Sequence, residues 1–240
     1  MPTIPLALVT GGARRLGRAF ALALARQGFA ILLHYHHSEE EAAATADAIR
    51  ALGMPVYPLQ VDLTSSTNIE SLFSNLDTLP HPLKVLVNSA ALMPRGDVRT
   101  LSAVDFDAAI ALNLRAPFLC AQEAAKRMEA GGLIVNVTDV GAQKAWSGFP
   151  AYTVSKAALD SLTRVLARSL APKIRVNAIA PGLVLPSEHV SQEEWEQLVE
   201  RLPLKRPASL DEIAAALEFL LKNEYITGQT IVVDGGYSLV

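Results

Sequence analysis

The chain has 240 residues, 50% of them hydrophobic, with 21 basic against 24 acidic side chains and a formal net charge of −3. This suits one compact domain, 1–240, with a sizeable core; no basic run is longer than Arg14-Arg15, so a nucleic-acid partner is not expected. One cysteine, Cys120, excludes an internal disulfide or a multi-cysteine metal cluster and fits a reducing cytoplasm, and neither a membrane-spanning run nor an export signal is evident.

The first apolar run, IPLALVT at 4–10, predicts a strand, and VTGGARRLGRAF leads from it into a helix at 15–27. Gly11, Gly12 and Gly17 let the backbone turn tightly, approach a diphosphate and pack on the sheet, leaving free N–H groups facing negative charge. Any tight strand-to-helix turn wants glycine, but this one follows the first strand of an α/β pattern, which favours a nucleotide.

The second strand, 29–35, ends LLHYHHSEEEA, without the acid that would grip an NAD ribose. Arg14, His36, His37 and Ser38 are placed to accept a 2′-phosphate instead, which favours NADPH. The plainer alternative is that Ser38 caps the helix at 39–52 and the histidines are merely exposed. His34 and His36 share a strand face while His37 points away, and no third ligand is identifiable, so no metal is expected. Gly28 and Gly53 sit where helices should stop.

Asp62 follows the third strand, 56–61, and either opens the next helix, 66–78, or accepts a hydrogen bond from an adenine amino group. Ser65 or Ser66 is the candidate cap of that helix. The fourth strand, 84–89, ends in NSAA, where Asn88 either borders a cofactor or ties strand ends together. A long helix is predicted at 103–129, capped by Ser102 and carrying Asn113 at its middle. That asparagine either organises water behind Lys156 or is satisfied by a neighbouring turn.

Asp139 stands at the tip of the fifth strand, 133–138, where it caps a turn or meets a substrate or proton-carrying water. In the helix at 151–170, Tyr152 and Lys156 are four apart and share a face. A neighbouring ammonium, with an oxidised nicotinamide, would favour the phenolate and give the tyrosine useful acid/base behaviour; the lysine could also hold a ribose. After the sixth strand, 174–180, the amphipathic segment 186–207 carries Trp195 and is a candidate lid. A helix at 210–222 capped by Ser209 and a last strand at 230–234 complete the chain. Strand alternating with helix predicts an α/β fold, a doubly wound, mostly parallel seven-stranded sheet with helices on both faces, Rossmann-type.

Together TGGARRLG at 10–17, Asp62, NSAA at 88–91, Asn113, Tyr152 with Lys156 and the Pro181-Gly182 pair resemble the short-chain dehydrogenase/reductase family over essentially the full length. The resemblance implies catalytic roles for Asn113, Tyr152 and Lys156, with Asp139 at the usual serine position. It implies cofactor contacts from Gly11, Arg14, Arg15, Leu16, Gly17, His36, His37, Ser38, Asp62, Leu63, Asn88, Ser89, Ala90, Tyr152, Lys156, Pro181 and Gly182. Arg15 in place of the middle glycine, the HYHHS strand end and Asp139 look most like pteridine reductases and related dihydrofolate reductases.

That likeness implies NADPH-linked reduction of a pterin C=N bond by a homotetramer built on the long fourth and fifth helices. Arg15, Met93, Asp139, Tyr152 and Trp195 would meet the substrate. Leu92 and Met93 stand where those reductases often have an aromatic residue, and His37 where they have arginine. A carbonyl, quinone or 3-oxoacyl substrate is the alternative. A non-enzymatic dinucleotide-binding protein fits poorly with the retained Asn113, Tyr152 and Lys156.

Overall fold

A computed structural model describes residues 3–187 and 190–240. Seven strands, β1 (Leu6–Thr10), β2 (Ala30–Tyr35), β3 (Val56–Gln60), β4 (Leu83–Asn88), β5 (Gly132–Val137), β6 (Ile174–Pro181) and β7 (Thr230–Val233), form one sheet in the order β3-β2-β1-β4-β5-β6-β7. Every neighbouring pair is parallel. Parallel neighbours need crossovers, which the helices supply: α1 (Arg15–Arg26), α2 (Glu39–Ala51), α3 (Ser66–Leu76), α4 (Ala103–Ile110), α5 (Ala116–Arg127), α6 (Pro150–Leu170), α7 (Gln192–Arg201) and α8 (Leu210–Lys222). The chain leaves β1 toward β2 on one side and returns to β4 on the other. The resulting crevice at the carboxyl ends of β1 and β4 is where such sheets bind ligands.

Alternation along the strands fills both faces. Ala7 and Val9 of β1 pack with Phe20, Leu24 and Leu217 of α1 and α8. Leu6 and Leu8 pack the other way against Phe73, Cys120 and Leu166 of α3, α5 and α6. The edge strands β3 and β7 are only partly buried, because each pairs on one side alone.

Ser102 caps α4, Ser209 forms a reciprocal capping box with Glu212, and Gly28 and Gly53 follow α1 and α2 with φ of 88° and 79°. The expected Ser65 or Ser66 cap is absent: the Ser65 hydroxyl pairs with Thr67 at 2.9 Å. Asp62 orders that corner instead, accepting hydrogen bonds from the Thr64 amide at 2.9 Å and hydroxyl at 2.8 Å. The helix predicted at 103–129 is continuous to Arg127 but contains a π-helical turn at Ala111–Arg115. Pro117 accounts for it: the ring has no N–H and collides with the carbonyl four residues back, at Asn113, so the winding widens just before it. Among the described residues, no helix is long and apolar enough to cross a membrane.

Candidate active site

A cleft of about 1060 Å³ lies over the carboxyl ends of the strands. At its β1 end the surface is mainly backbone. Gly11 has φ +63°, and a Cβ there would lie 2.9 Å from the Ala90 backbone; at Gly17 a Cβ would lie 2.0 Å from the Gly11 carbonyl oxygen. Only hydrogen fits at these positions, so α1 starts hard against the turn. The Thr10 hydroxyl accepts hydrogen bonds from the Ser89 and Ala90 amides at 3.0 and 3.1 Å, fixing the loop after β4 beside that turn. Arg15 keeps a left-handed backbone, φ 51°, and its guanidinium crosses the cleft mouth to donate to the carbonyls of Leu185 and Pro186, both at 3.0 Å.

At the β5 end the surface is side chain. Asp139 caps a short 3-10 turn, Val140–Ala142: one carboxylate oxygen accepts from the Gly141 amide at 2.7 Å and the other from the Tyr152 hydroxyl at 2.7 Å. Burial pushes the Asp139 carboxyl up, against the lowering effects of Gly141, Tyr152 and the Lys156 charge. Lys156 donates to the Val137 carbonyl at 2.6 Å, and its ammonium is 5.7 Å from the Tyr152 ring centre. Burial lowers its pKa to about 8 although Asp139 works the other way.

Tyr152 moves opposite to the sequence expectation. Burial, then the charge and hydrogen bond of Asp139, hold its phenol well above the ordinary value. The carboxylate touches the hydroxyl directly, whereas Lys156 makes its hydrogen bond to the Val137 carbonyl and none to the phenol. Tyr152 is therefore a protonated donor beside a carboxyl that holds a proton more readily than usual, an arrangement suited to delivering protons. The Trp146 ring lies parallel to Tyr152 within 7° at 6.5 Å and packs on Tyr237 at 6.3 Å, while Lys144 sits 4.3 Å above the Tyr237 ring centre.

The cleft collects Arg14, Leu16, His36, His37, Ser38, Asp62, Leu63, Pro181, Gly182, Met93 and Trp195 beside the groups already described. The His36 and His37 ring centres lie 3.6 Å apart, tilted by 34°, and Ser38 makes no side-chain cap to α2, so its hydroxyl is not consumed there. Asp62 is held below its ordinary pKa, mainly by the Thr64 amide and hydroxyl. Two predicted residues do not line the cleft. Asn88 donates to Asn136 at 2.9 Å, which donates in turn to Thr163 at 2.9 Å, so it ties β4 to β5 and α6. The Asn113 side chain binds both backbone groups of Leu92 at 2.8 Å and donates to Ser155 at 2.9 Å. It braces the loop after β4 against α6.

Sequence reasoning passed over Trp146, Phe149, Ser187 and Tyr237, all of which line the cleft. They come from loops or the segment after β7, where no periodicity marks a side chain's direction. Within the stretch predicted as a lid, Trp195 and Leu198 of α7 line the cleft; residues 188 and 189 lie outside the described residues.

The family model described as Enoyl-(Acyl carrier protein) reductase matches residues 11–238. The chain belongs to the short-chain dehydrogenase/reductase family. As a member it is an oxidoreductase that works with a nicotinamide dinucleotide. Among solved members of the family, FolM alternative dihydrofolate reductase 1 from Brucella canis, complexed with NADP, is 38% identical, with a TM-score of 0.93 covering 98% of this chain and 94% of that one. Curated short-chain dehydrogenase/reductase relatives include the oxidoreductase YgfF of Escherichia coli, 34% identical over 96% of this chain and 99% of its own length. The 3-oxoacyl-[acyl-carrier-protein] reductase FabG of Staphylococcus aureus is also 34% identical, over 96% of each chain.

Proposed function

We propose that the protein is an NADPH-dependent reductase of a pterin C=N bond, of the dihydrobiopterin or dihydrofolate class. The observation that carries this reading is the buried carboxyl of Asp139, bonded to Tyr152 at 2.7 Å where the family usually has serine. A carboxyl at this position can orient the amidine-like edge of a pterin and, in its protonated form, feed a proton through Tyr152 to the ring nitrogen. Beside a ketone it would bring negative charge toward an oxygen that gains negative charge in the reaction. The Brucella canis protein named for dihydrofolate reduction supports the same substrate class.

The cleft suits the dinucleotide. The Gly11 turn is a cradle that a Cβ would fill, and the buried Ser187 hydroxyl lines the cleft with no hydrogen-bond partner among the described residues. Gly11, Arg15, Leu16 and Gly17 would hold its diphosphate, and Arg14, His36, His37 and Ser38 the 2′-phosphate. Asp62 and Leu63 would border the adenine, with Ser89, Ala90, Pro181 and Gly182 along the strand ends and Lys156 on the nicotinamide ribose. When bound, NADPH supplies the hydride. Tyr152 donates a proton to the substrate nitrogen, Asp139 returns a proton to the phenolate and regains its own from solvent, and Lys156 steadies the charge of the pair. Met93 and Trp195 flank the substrate, and 186–207 acts as its lid.

Exposed Val104, Phe118, Val154 and Val165 on α4, α5 and α6 support assembly as a homotetramer through these helices, and we place the enzyme in the cytoplasm. The test is NADPH oxidation by purified protein against dihydrobiopterin, dihydrofolate, ketones, quinones and a 3-oxoacyl thioester. Pterin turnover well above the carbonyl panel is expected. Carbonyl turnover without pterin turnover would replace this reading with the one its FabG relatives suggest.

A further inference from the structure

We infer that His34 is a positioning residue of the dinucleotide turn, its imidazole fixing the Gly11 amide and joining the tips of three strands. The inference rests on reading the β1 end of the cleft as a dinucleotide site. His34 is 2% exposed at the end of β2. Its Nδ1 lies 3.0 Å from the Gly11 nitrogen and its Nε2 2.9 Å from the Val61 carbonyl oxygen. An amide N–H only donates, so Nδ1 must be the unprotonated acceptor; a carbonyl only accepts, so Nε2 carries the hydrogen. The partners on both sides thus select one tautomer.

The backbone completes the clamp. The His34 carbonyl accepts from the Gly12 amide at 2.9 Å, so one residue binds two consecutive glycines of the turn and the residue preceding Asp62. Those partners come from the β1 turn and the end of β3, the two walls of the adenosine half of the cleft. Burial outweighs the Val61 hydrogen bond, which favours the charged form, and holds the imidazole neutral with its pKa down to about 4; His36 also opposes the charge and Asp62 favours it. The acceptor for Gly11 therefore persists across ordinary working pH. His34 makes no hydrogen bond to Asp139, Tyr152 or Lys156, so its effect falls on cofactor affinity and not on proton delivery.

Three variants separate the two ring contacts. His34→Asn keeps an acceptor near the Nδ1 position, His34→Gln keeps a donor near the Nε2 position, and His34→Phe keeps ring volume with neither. NADPH affinity is read by fluorescence titration, with circular dichroism and melting curves to establish folding. His34→Phe should weaken NADPH at least about tenfold, with kcat at saturating NADPH within about threefold of wild type, and His34→Asn should recover more affinity than His34→Gln. Affinity equal to wild type in folded His34→Phe, or a loss expressed in kcat alone, overturns the inference. Should His34→Phe not fold, the Asn and Gln variants decide: a better-binding Asn variant upholds the role, and equal or reversed affinities overturn it. Nitrogen-15 NMR of the wild-type ring gives a check without any variant, the Nε2–H tautomer being expected and the Nδ1–H tautomer contradicting it. Wild-type protein that fails to bind NADPH would instead defeat the proposed function, while the NMR result would still decide the clamp.

Discussion

At the β1 end of the cleft the surface is a backbone turn held by His34, with Thr10 tying the loop after β4 beside it; at the β5 end it is three side chains that perturb one another. The first region needs absence of bulk and fixed amides, so its key residues are glycines. The second needs proton affinities moved from their ordinary values, so it buries a carboxyl, a phenol and an amine together. Binding and chemistry should therefore fail separately when each region is damaged.

The largest separation should come from Tyr152→Phe. Removing the donor should lower kcat by about 10³-fold, within the usual range for general acid catalysis, while NADPH affinity stays within about twofold. A comparable loss of NADPH binding would merge the two regions. Gly17→Ala attacks the other end, where the new methyl would stand 2.0 Å from the Gly11 carbonyl oxygen. Calorimetry should show a loss of about 3 kcal/mol, with Tm lower by roughly 10 °C and NADPH binding weakened throughout. An unchanged Tm would mean that the turn is softer than its contacts indicate.

Acid should also stress the β1 end first. The unfolded chain protonates His34 below about 6.5 whereas the fold resists until about 4, so the stability it contributes is fully present above 6.5 and falls as pH drops toward 4. The loss is about 3 kcal/mol across that window. Urea melts against pH should accordingly show a shallower acid slope for His34→Gln than for wild type. The smallest effect is expected for Arg15→Ala, whose exposed guanidinium bonds to Leu185 and Pro186 are worth about 1 kcal/mol, giving a several-fold rise in KM for NADPH with kcat retained.

The same contrast governs what the sequence revealed. Strand-length apolar runs and glycine spacing made the sheet, its crossovers and the β1 turn legible, because those features depend on local pattern. Tyr152, Lys156 and Asp139 were legible as types and positions, but not the direction of the phenol's shift, which depends on Asp139 touching it while Lys156 turns to Val137. His34 read as a discarded metal candidate because its partners are backbone groups 23 and 27 residues away. Trp146 and Tyr237 meet only after folding, and the π turn that follows from Pro117 was hidden inside an otherwise regular helical pattern.

The most direct test of the account is Asp139→Ser, with dihydropterin turnover and NADPH affinity measured on the same folded preparation. A loss of at least about 100-fold in kcat, with NADPH bound as in wild type, is the expected result. Dihydropterin reduction at the wild-type rate would contradict it and remove the carboxyl from the chemistry.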